Sequence, residues 1–132
     1  MGGARQVREA TFHDAAFEDD RRGRLGRFYA AAGDAKRHYA EAVATAGAGR
    51  RVLECGFGRG GRALRLAEAG GRVHAIDLSS AGARMARAEA AARGLAGRAW
   101  FCLMDVQALG WPDHSFDLVC GSGILHHLDL DA

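Results

Sequence analysis

The stretch Arg51-Val52-Leu53-Glu54-Cys55-Gly56-Phe57-Gly58-Arg59-Gly60-Gly61 decides how the chain is read. Its first five residues read as a strand, and four glycines crowd into the six positions that follow. Glycine is needed there because the backbone must turn sharply and come close to a ligand. The loop amides and the amino terminus of the next helix are then left free to hold negative charge. That helix is short, runs through Leu64 and Ala67, and is ended by Gly70-Gly71. The unit then repeats. Val73 to Asp77 reads as a strand, Ser79 or Ser80 caps a helix with Met85, Ala88 and Ala92 on one face, and Gly94 ends it. Ala99 to Leu103 makes a third strand, Trp111 to Ser115 a turn, and Phe116 to Cys120 a fourth strand. Four strands alternating with helical connections predict an α/β fold built on a parallel sheet.

Upstream of this core, Asp34 is placed to cap a helix with Tyr39, Ala42, Val43 and Ala46 on one face and Gly47 as its stop. Residues 1–33 form a polar extension with scattered aromatics, Phe12, Phe17, Phe28 and Tyr29. Its charges pair at helical spacing, Glu18 with Arg22 and Asp20 with Arg24, so a helical amino-terminal extension is expected ahead of a domain over 34–132. Arg21, Arg22, Arg24 and Arg27 follow acidic residues closely and read as a solvated helix face rather than a basic binding strip. At 132 residues, 48% apolar and 26% charged, the chain has the balance of a globular protein of one domain at most. A formal net charge of +2 gives no reason to expect nucleic acid or an anionic membrane as partner. Cys55, Cys102 and Cys120 are odd in number, lack metal-ligand spacing and fall in strand-like runs. They read as buried free thiols, which fits a reducing, cytoplasmic setting. Polar residues throughout the first twenty positions leave no room for a signal-peptide apolar region or a membrane span there.

In open parallel sheets the ligand crevice lies at the carboxyl ends of the strands, where the Gly56 to Gly61 loop sits. The glycines alone fit two ligands, since Gly56, Gly58 and Gly61 also satisfy the dinucleotide pattern G-x-G-x-x-G. Asp77, 21 positions after Gly56, has the spacing at which an acidic strand end accepts ribose hydroxyls, and both cofactors carry a ribose. Glu54 and Asp105 break the tie. A carboxylate two positions before the first glycine repels a pyrophosphate, whereas S-adenosylmethionine presents an ammonium and a sulfonium. Asp105, just past the third strand, is placed to accept from an adenine amino group. Each carboxylate taken singly is equally an ordinary cap or turn residue; the three in order are harder to dismiss.

With those residues in view, Val52-Leu53-Glu54-Cys55-Gly56-Phe57-Gly58-Arg59-Gly60 resembles motif I, E/D-x-G-x-G-x-G, of the class I S-adenosylmethionine-dependent methyltransferases, in their small-molecule branch. His74 to Ser79 resembles the second motif of that family, Met104-Asp105-Val106 its adenine-contacting motif, and Ser115 to Val119 its fourth. The resemblance runs from about Arg50 onward and implies a Rossmann-like, doubly wound parallel sheet. It implies that Glu54 and the backbone of Gly56, Phe57, Gly58 and Gly60 hold the methionine end of S-adenosyl-L-methionine, that Asp77 binds the ribose diol, that Leu78 and Val106 sandwich adenine, and that Asp105 reads its amino group. Phe57 departs from the small residue or cysteine common at that position. Gly121 and the segment through Leu128 fall where the family lines the methyl-transfer site.

Methyl transfer from a sulfonium is downhill, so such an enzyme mainly aligns a nucleophile, excludes water and sometimes removes a proton. His126 and His127 are the candidate general bases, with packing or capping as the plain alternative. Adjacent histidines on a helix point about 100° apart, which suits a shared metal ion poorly. No Asn-Pro-Pro-Tyr type signature of nucleic-acid amino-group methyltransferases is present. The family carries seven strands and this sequence supplies four, so a fragment truncated before the final strands is expected, with the edge of the fourth strand inviting a homo-oligomer. Two rivals stand beside the methyltransferase reading: a nicotinamide-dependent oxidoreductase, and an inactive cofactor-binding fragment that pairs with another chain.

Overall fold

The computed structural model describes residues 2–18 and 33–131 of the chain. The arginines Arg21, Arg22, Arg24 and Arg27, the pairs Glu18 with Arg22 and Asp20 with Arg24, and Phe28 and Tyr29 all involve residues outside that set. The elements in chain order are α1 (Gly2–Glu18), α2 (Gly33–Gly47), β1 (Arg51–Cys55), α3 (Gly61–Glu68), β2 (Arg72–Asp77), α4 (Ser80–Ala92), β3 (Ala99–Leu103) and β4 (Leu118–Gly121), followed by a single 3-10 turn, Leu125–His127.

The four strands form one parallel sheet in the order β3-β2-β1-β4. Strand residues alternate between its two faces, as a pleat requires. Val52, Val73, Ala75, Ala99 and Phe101 face α3 and α4, whose Ala63, Leu64, Leu66, Ala67, Ala83, Ala86 and Ala90 complete the main core. Leu53, Cys55 and Ile76 face the other way, under Cys102, Met104, Trp111 and Phe116. Sequential strands run outward from β1 through β2 to β3, and the chain then returns to place β4 on the opposite side of β1. That reversal opens a crevice at the carboxyl ends of the strands.

Several expectations from the sequence are corrected. First, α4 buries Ala81, Ala83, Ala86 and Ala90, while Met85, Ala88 and Ala92 are exposed. The helix lies so close to the glycine loop that a Cβ at Gly60 would stand 2.7 Å from that of Ala86. Only small residues fit that face, so Met85 turns outward. Second, β4 begins at Leu118 rather than Phe116. The Asp117 amide still donates to the Arg51 carbonyl at 2.8 Å. Its carboxylate, however, accepts from the Arg51 amide at 2.9 Å, taking the place of a ladder bond, and Phe116 packs edge-on against Trp111, 5.2 Å between centroids. Third, no helix joins β3 to β4: residues 104–117 cross the sheet as turns, with His114 at φ 62°.

Asp34 lies inside the first turn of α2, paired with Arg37, rather than at its cap. At α4 the cap is Ser79, whose hydroxyl accepts from the Gly82 amide at 2.9 Å. Cys55 and Cys120 are buried free thiols and Cys102 is half-buried. Burial raises both buried thiols, Cys120 to about 11, with the Glu54 charge adding to it, which leaves them protonated and unreactive. Among the described residues no helix is long and apolar enough to cross a membrane.

Candidate functional site

A cavity of about 660 Å³ opens at the carboxyl ends of the strands. That is within the range of small-molecule and cofactor sites. Its floor is the loop after β1, its walls are the ends of β2 and β3, and its far side is the segment after β4.

The floor exists because of three left-handed glycines. Gly56, Gly58 and Gly60 have φ of 77°, 58° and 86°. L-residues with a side chain seldom adopt that conformation. Gly56 and Gly58 line the cavity, and a Cβ at Gly58 would meet no atom within 4 Å. Gly60 instead faces inward, against Ala86 and Phe101.

Asp77 ends β2 and organises the loop. Its Oδ2 accepts from the Gly58 amide at 3.0 Å, and its Oδ1 from the amides of Leu78 at 2.7 Å and Ser79 at 3.2 Å. A carboxylate has about four acceptor positions, so one remains for a ligand hydroxyl. Asp105, past β3, also lines the cavity. Burial works to raise its carboxyl, but the Gln107 amide, Gln6 and Arg5 outweigh it and hold the group below the usual carboxylate range.

Glu54 lies beneath the loop. It is fully buried, and its Oε1 accepts from Arg62 Nη1 at 3.1 Å. Its Oε2 is enclosed without a hydrogen-bond partner. Burial is the main influence on this carboxyl and lifts it to about 7, against the pull of Arg62 and with a smaller push from the charge of Asp77. Arg62 also stands 5.1 Å from the centre of the Tyr39 ring, and the Tyr39 hydroxyl donates to the Gly121 carbonyl at 2.9 Å. One line of contacts therefore joins α2, α3, β1 and β4 under the site.

Of the residues expected from the sequence, Gly56, Gly58, Asp77 and Leu78 are brought together on the cavity, as are Asp105, Val106, His126 and His127. Four are not on its lining. Glu54 is buried below it. Phe57 points into the core, with its ring edge-on to Phe101 at 5.2 Å, which is how a large side chain is accommodated where a small one is common. Gly60 is a packing position, and Gly121 is pressed against the Cys55 carbonyl. His126 and His127 sit in the 3-10 turn with ring centroids 3.9 Å apart.

Sequence reasoning missed Arg62 and the α1 residues Arg5, Gln6 and Glu9. For Arg62 a signal existed, because a carboxylate in a buried strand needs a cation nearby. For α1 none did, since nothing local to that segment says where it docks.

The comparisons with known proteins bear on the family and the fold. A family described as a methyltransferase domain matches residues 52–132. Aklanonic acid methyltransferase DauC from Streptomyces sp. (strain C5) is 43% identical over 77 residues, covering 56% of this chain and 34% of the relative. Among solved structures, the CcbJ methyltransferase from Streptomyces caelestis is 30% identical with a TM-score of 0.58, over 64% of this chain and 34% of that one. The [4+2]-cyclase SpnF is 31% identical with the same TM-score of 0.58, over 62% of this chain and 32% of that one. The chain thus spans about a third of the length of these relatives. With more than half of its residues inside the matched domain, and with the loop and strand-end carboxylates in their expected order, the chain belongs to the class I methyltransferase family that its motifs resemble.

Proposed function

We propose that this chain is the cofactor-binding part of an S-adenosyl-L-methionine-dependent methyltransferase acting on a small-molecule acceptor. The observation that carries the reading is the presence of Asp77 and Asp105, at the carboxyl ends of the adjacent strands β2 and β3, on one cavity above a left-handed glycine floor. Such a site suits a ligand with a ribose at one carboxylate and an amino-bearing base at the other. The residues fit the group in a further respect: the enclosed carboxylate of Glu54, with no well-formed hydrogen bond at Oε2, would supply negative potential from beneath the floor to an ammonium held in the cavity above. DauC and CcbJ, both named as methyltransferases, support the same reading.

When bound, the cofactor supplies an electrophilic methyl group. The chain's own residues would hold and orient it: Asp77 fixes the loop and would offer its remaining acceptor position, Leu78 and Val106 would flank the base, and the Gly56 and Gly58 backbone would take the amino-acid end. His126 and His127, on the cavity wall, are the groups able to take a proton from an acceptor hydroxyl. The free thiols Cys55, Cys102 and Cys120 support a reducing, cytoplasmic setting.

Calorimetric titration with S-adenosylhomocysteine and with NAD tests the cofactor half of the reading. Binding of the first and not the second is expected, and the reverse result would sink it. The fold alone does not settle the chemistry, since the similar SpnF is a cyclase. A methyl-transfer assay beside the titration therefore distinguishes a catalytic chain from one that only binds cofactor. The β4 edge, where Val119 is 61% exposed, is proposed as the surface on which a second copy pairs. A monomer by light scattering at high concentration would exclude that.

A further inference from the structure

Helix α1 meets the cavity at the end where Asp105 stands, and it does so with complementary groups. Arg5 Nη2 donates to Asp105 Oδ2, and Gln6 Nε2 donates to the same oxygen at 3.0 Å. The Gln107 amide takes Oδ1 at 3.0 Å, so about three of four acceptor positions are occupied. A second tether crosses to the opposite wall. Arg5 Nη1 donates to the His127 carbonyl at 3.2 Å, and Glu9 Oε2 lies 2.9 Å from His127 Nδ1. Beneath these contacts the Asp105 side chain is only 8% exposed.

We infer that α1 is a gate on the adenine end of the crevice: Arg5 and Gln6 hold Asp105 in the free chain, and a ligand that presents an amino group to Asp105 displaces them. The inference rests on the cofactor reading above, because that reading alone places an amino group at Asp105. The pair between Arg5 and Asp105 is charge-assisted, and an adenine amine is a neutral donor. The amine alone is therefore the weaker partner, and the remainder of the ligand supplies the difference. Observed affinity equals the intrinsic affinity scaled by the fraction of chains with α1 displaced. Arg5 and Gln6 line or border the site yet lower its affinity, the opposite sign to a residue that builds it.

Two measurements on the full chain separate the outcomes. Hydrogen exchange over residues 3–11 reports the docking of α1 without any ligand, and calorimetry reports S-adenosylhomocysteine affinity. In the double variant Arg5→Ala, Gln6→Ala, exchange in α1 is expected to accelerate and affinity to rise about tenfold. Asp105→Asn, which keeps the size of the side chain, is expected to accelerate α1 exchange in the same way without ligand. In the wild-type chain, S-adenosylhomocysteine is expected to accelerate it as well. Unchanged exchange in both variants overturns the gate. Weaker binding by the double variant, or slower α1 exchange on ligand binding, also overturns it by making α1 a wall of the bound site. Ligand binding with α1 unmoved defeats the gate alone. No binding to wild type or double variant, with α1 released in the latter, defeats the cofactor reading and with it the gate.

Discussion

Replacing Glu54 with glutamine separates the two energies acting on a buried carboxylate. Burial lifts the group from 4.5 to about 7 even with Arg62 beside it. The difference between those values corresponds to about 3 kcal/mol. The sign follows from proton binding in the two states. Below 4.5 folded and unfolded chains both hold the proton. Between 4.5 and 7 the unfolded chain has released it and the folded chain keeps it, so stability falls as pH rises; above 7 the loss is complete. In Glu54→Gln this dependence disappears. The substitution also removes the counter-charge of Arg62, whose side chain is 27% exposed and can recover part of that loss in water. The stability of the variant relative to wild type should therefore improve by about 3 kcal/mol on going from about pH 4 to about pH 8. Urea unfolding of both proteins, followed by tryptophan fluorescence, measures this as a double difference in which groups common to both cancel. An equal gap between the two proteins at both pH values would refute the reasoning: it would mean that Arg62 offsets burial and leaves Glu54 titrating as it does in the unfolded chain.

Three further outcomes follow from the site and the sheet that carries it. Gly60→Ala should cost at least about 2 kcal/mol, because a left-handed backbone and a contact with Ala86 coincide there. Gly58→Ala should cost only about 1 kcal/mol, since its Cβ meets open space; thermal melts of the two variants rank them. Asp77→Ala leaves the amides of Gly58, Leu78 and Ser79 without their acceptor, so S-adenosylhomocysteine affinity should fall more than tenfold, about 1.4 kcal/mol or more. Retained affinity would show that the loop does not depend on it. Hydrogen bonds from Arg51 hold the Asp117 carboxyl down to about 2. An NMR titration of its carboxyl carbon should place the midpoint there in wild type and move it upward in Arg51→Ala.

The sheet was legible because short apolar runs and glycine punctuation are local signals, and β1, β2 and β3 carry them. The buried face of α4 was not. Met85 is the larger apolar residue and outweighs alanine in any sequence pattern, but Gly60 brings the helix so close to the loop that alanine has to face it. The start of β4 was misplaced for a similar reason, since an aspartate side chain stood in for a backbone acceptor opposite Arg51. In the site, the strand-end acids Asp77 and Asp105 could be read because strands deliver their carboxyl ends to one crevice whatever else the chain does. Phe57 and Gly121 could not. Both neighbour the crevice in sequence, yet their side-chain directions are set by contacts with Phe101 and Cys55 across the fold. Arg5 and Gln6 lie about a hundred positions from Asp105, beyond any spacing rule.

Glu54 changes most in meaning between sequence and structure. In the sequence it discriminates between cofactors as a fixed negative charge: attractive to an ammonium, repulsive to a pyrophosphate. In the fold it titrates near 7, so the discrimination depends on pH. A pyrophosphate above the loop would favour the protonated form and meet little repulsion below 7, whereas an ammonium favours the ionised form. Glu54 does not line the cavity, so the effect acts through the field of a poorly screened charge rather than by contact. If productive binding requires the ionised form, S-adenosylhomocysteine affinity should rise about tenfold between about pH 6 and about pH 8 in wild type and stay level in Glu54→Gln. NAD, where it binds at all, should show the opposite slope. A level wild-type profile would remove Glu54 as the residue that chooses the cofactor and leave that choice to Asp105 and the gate above it.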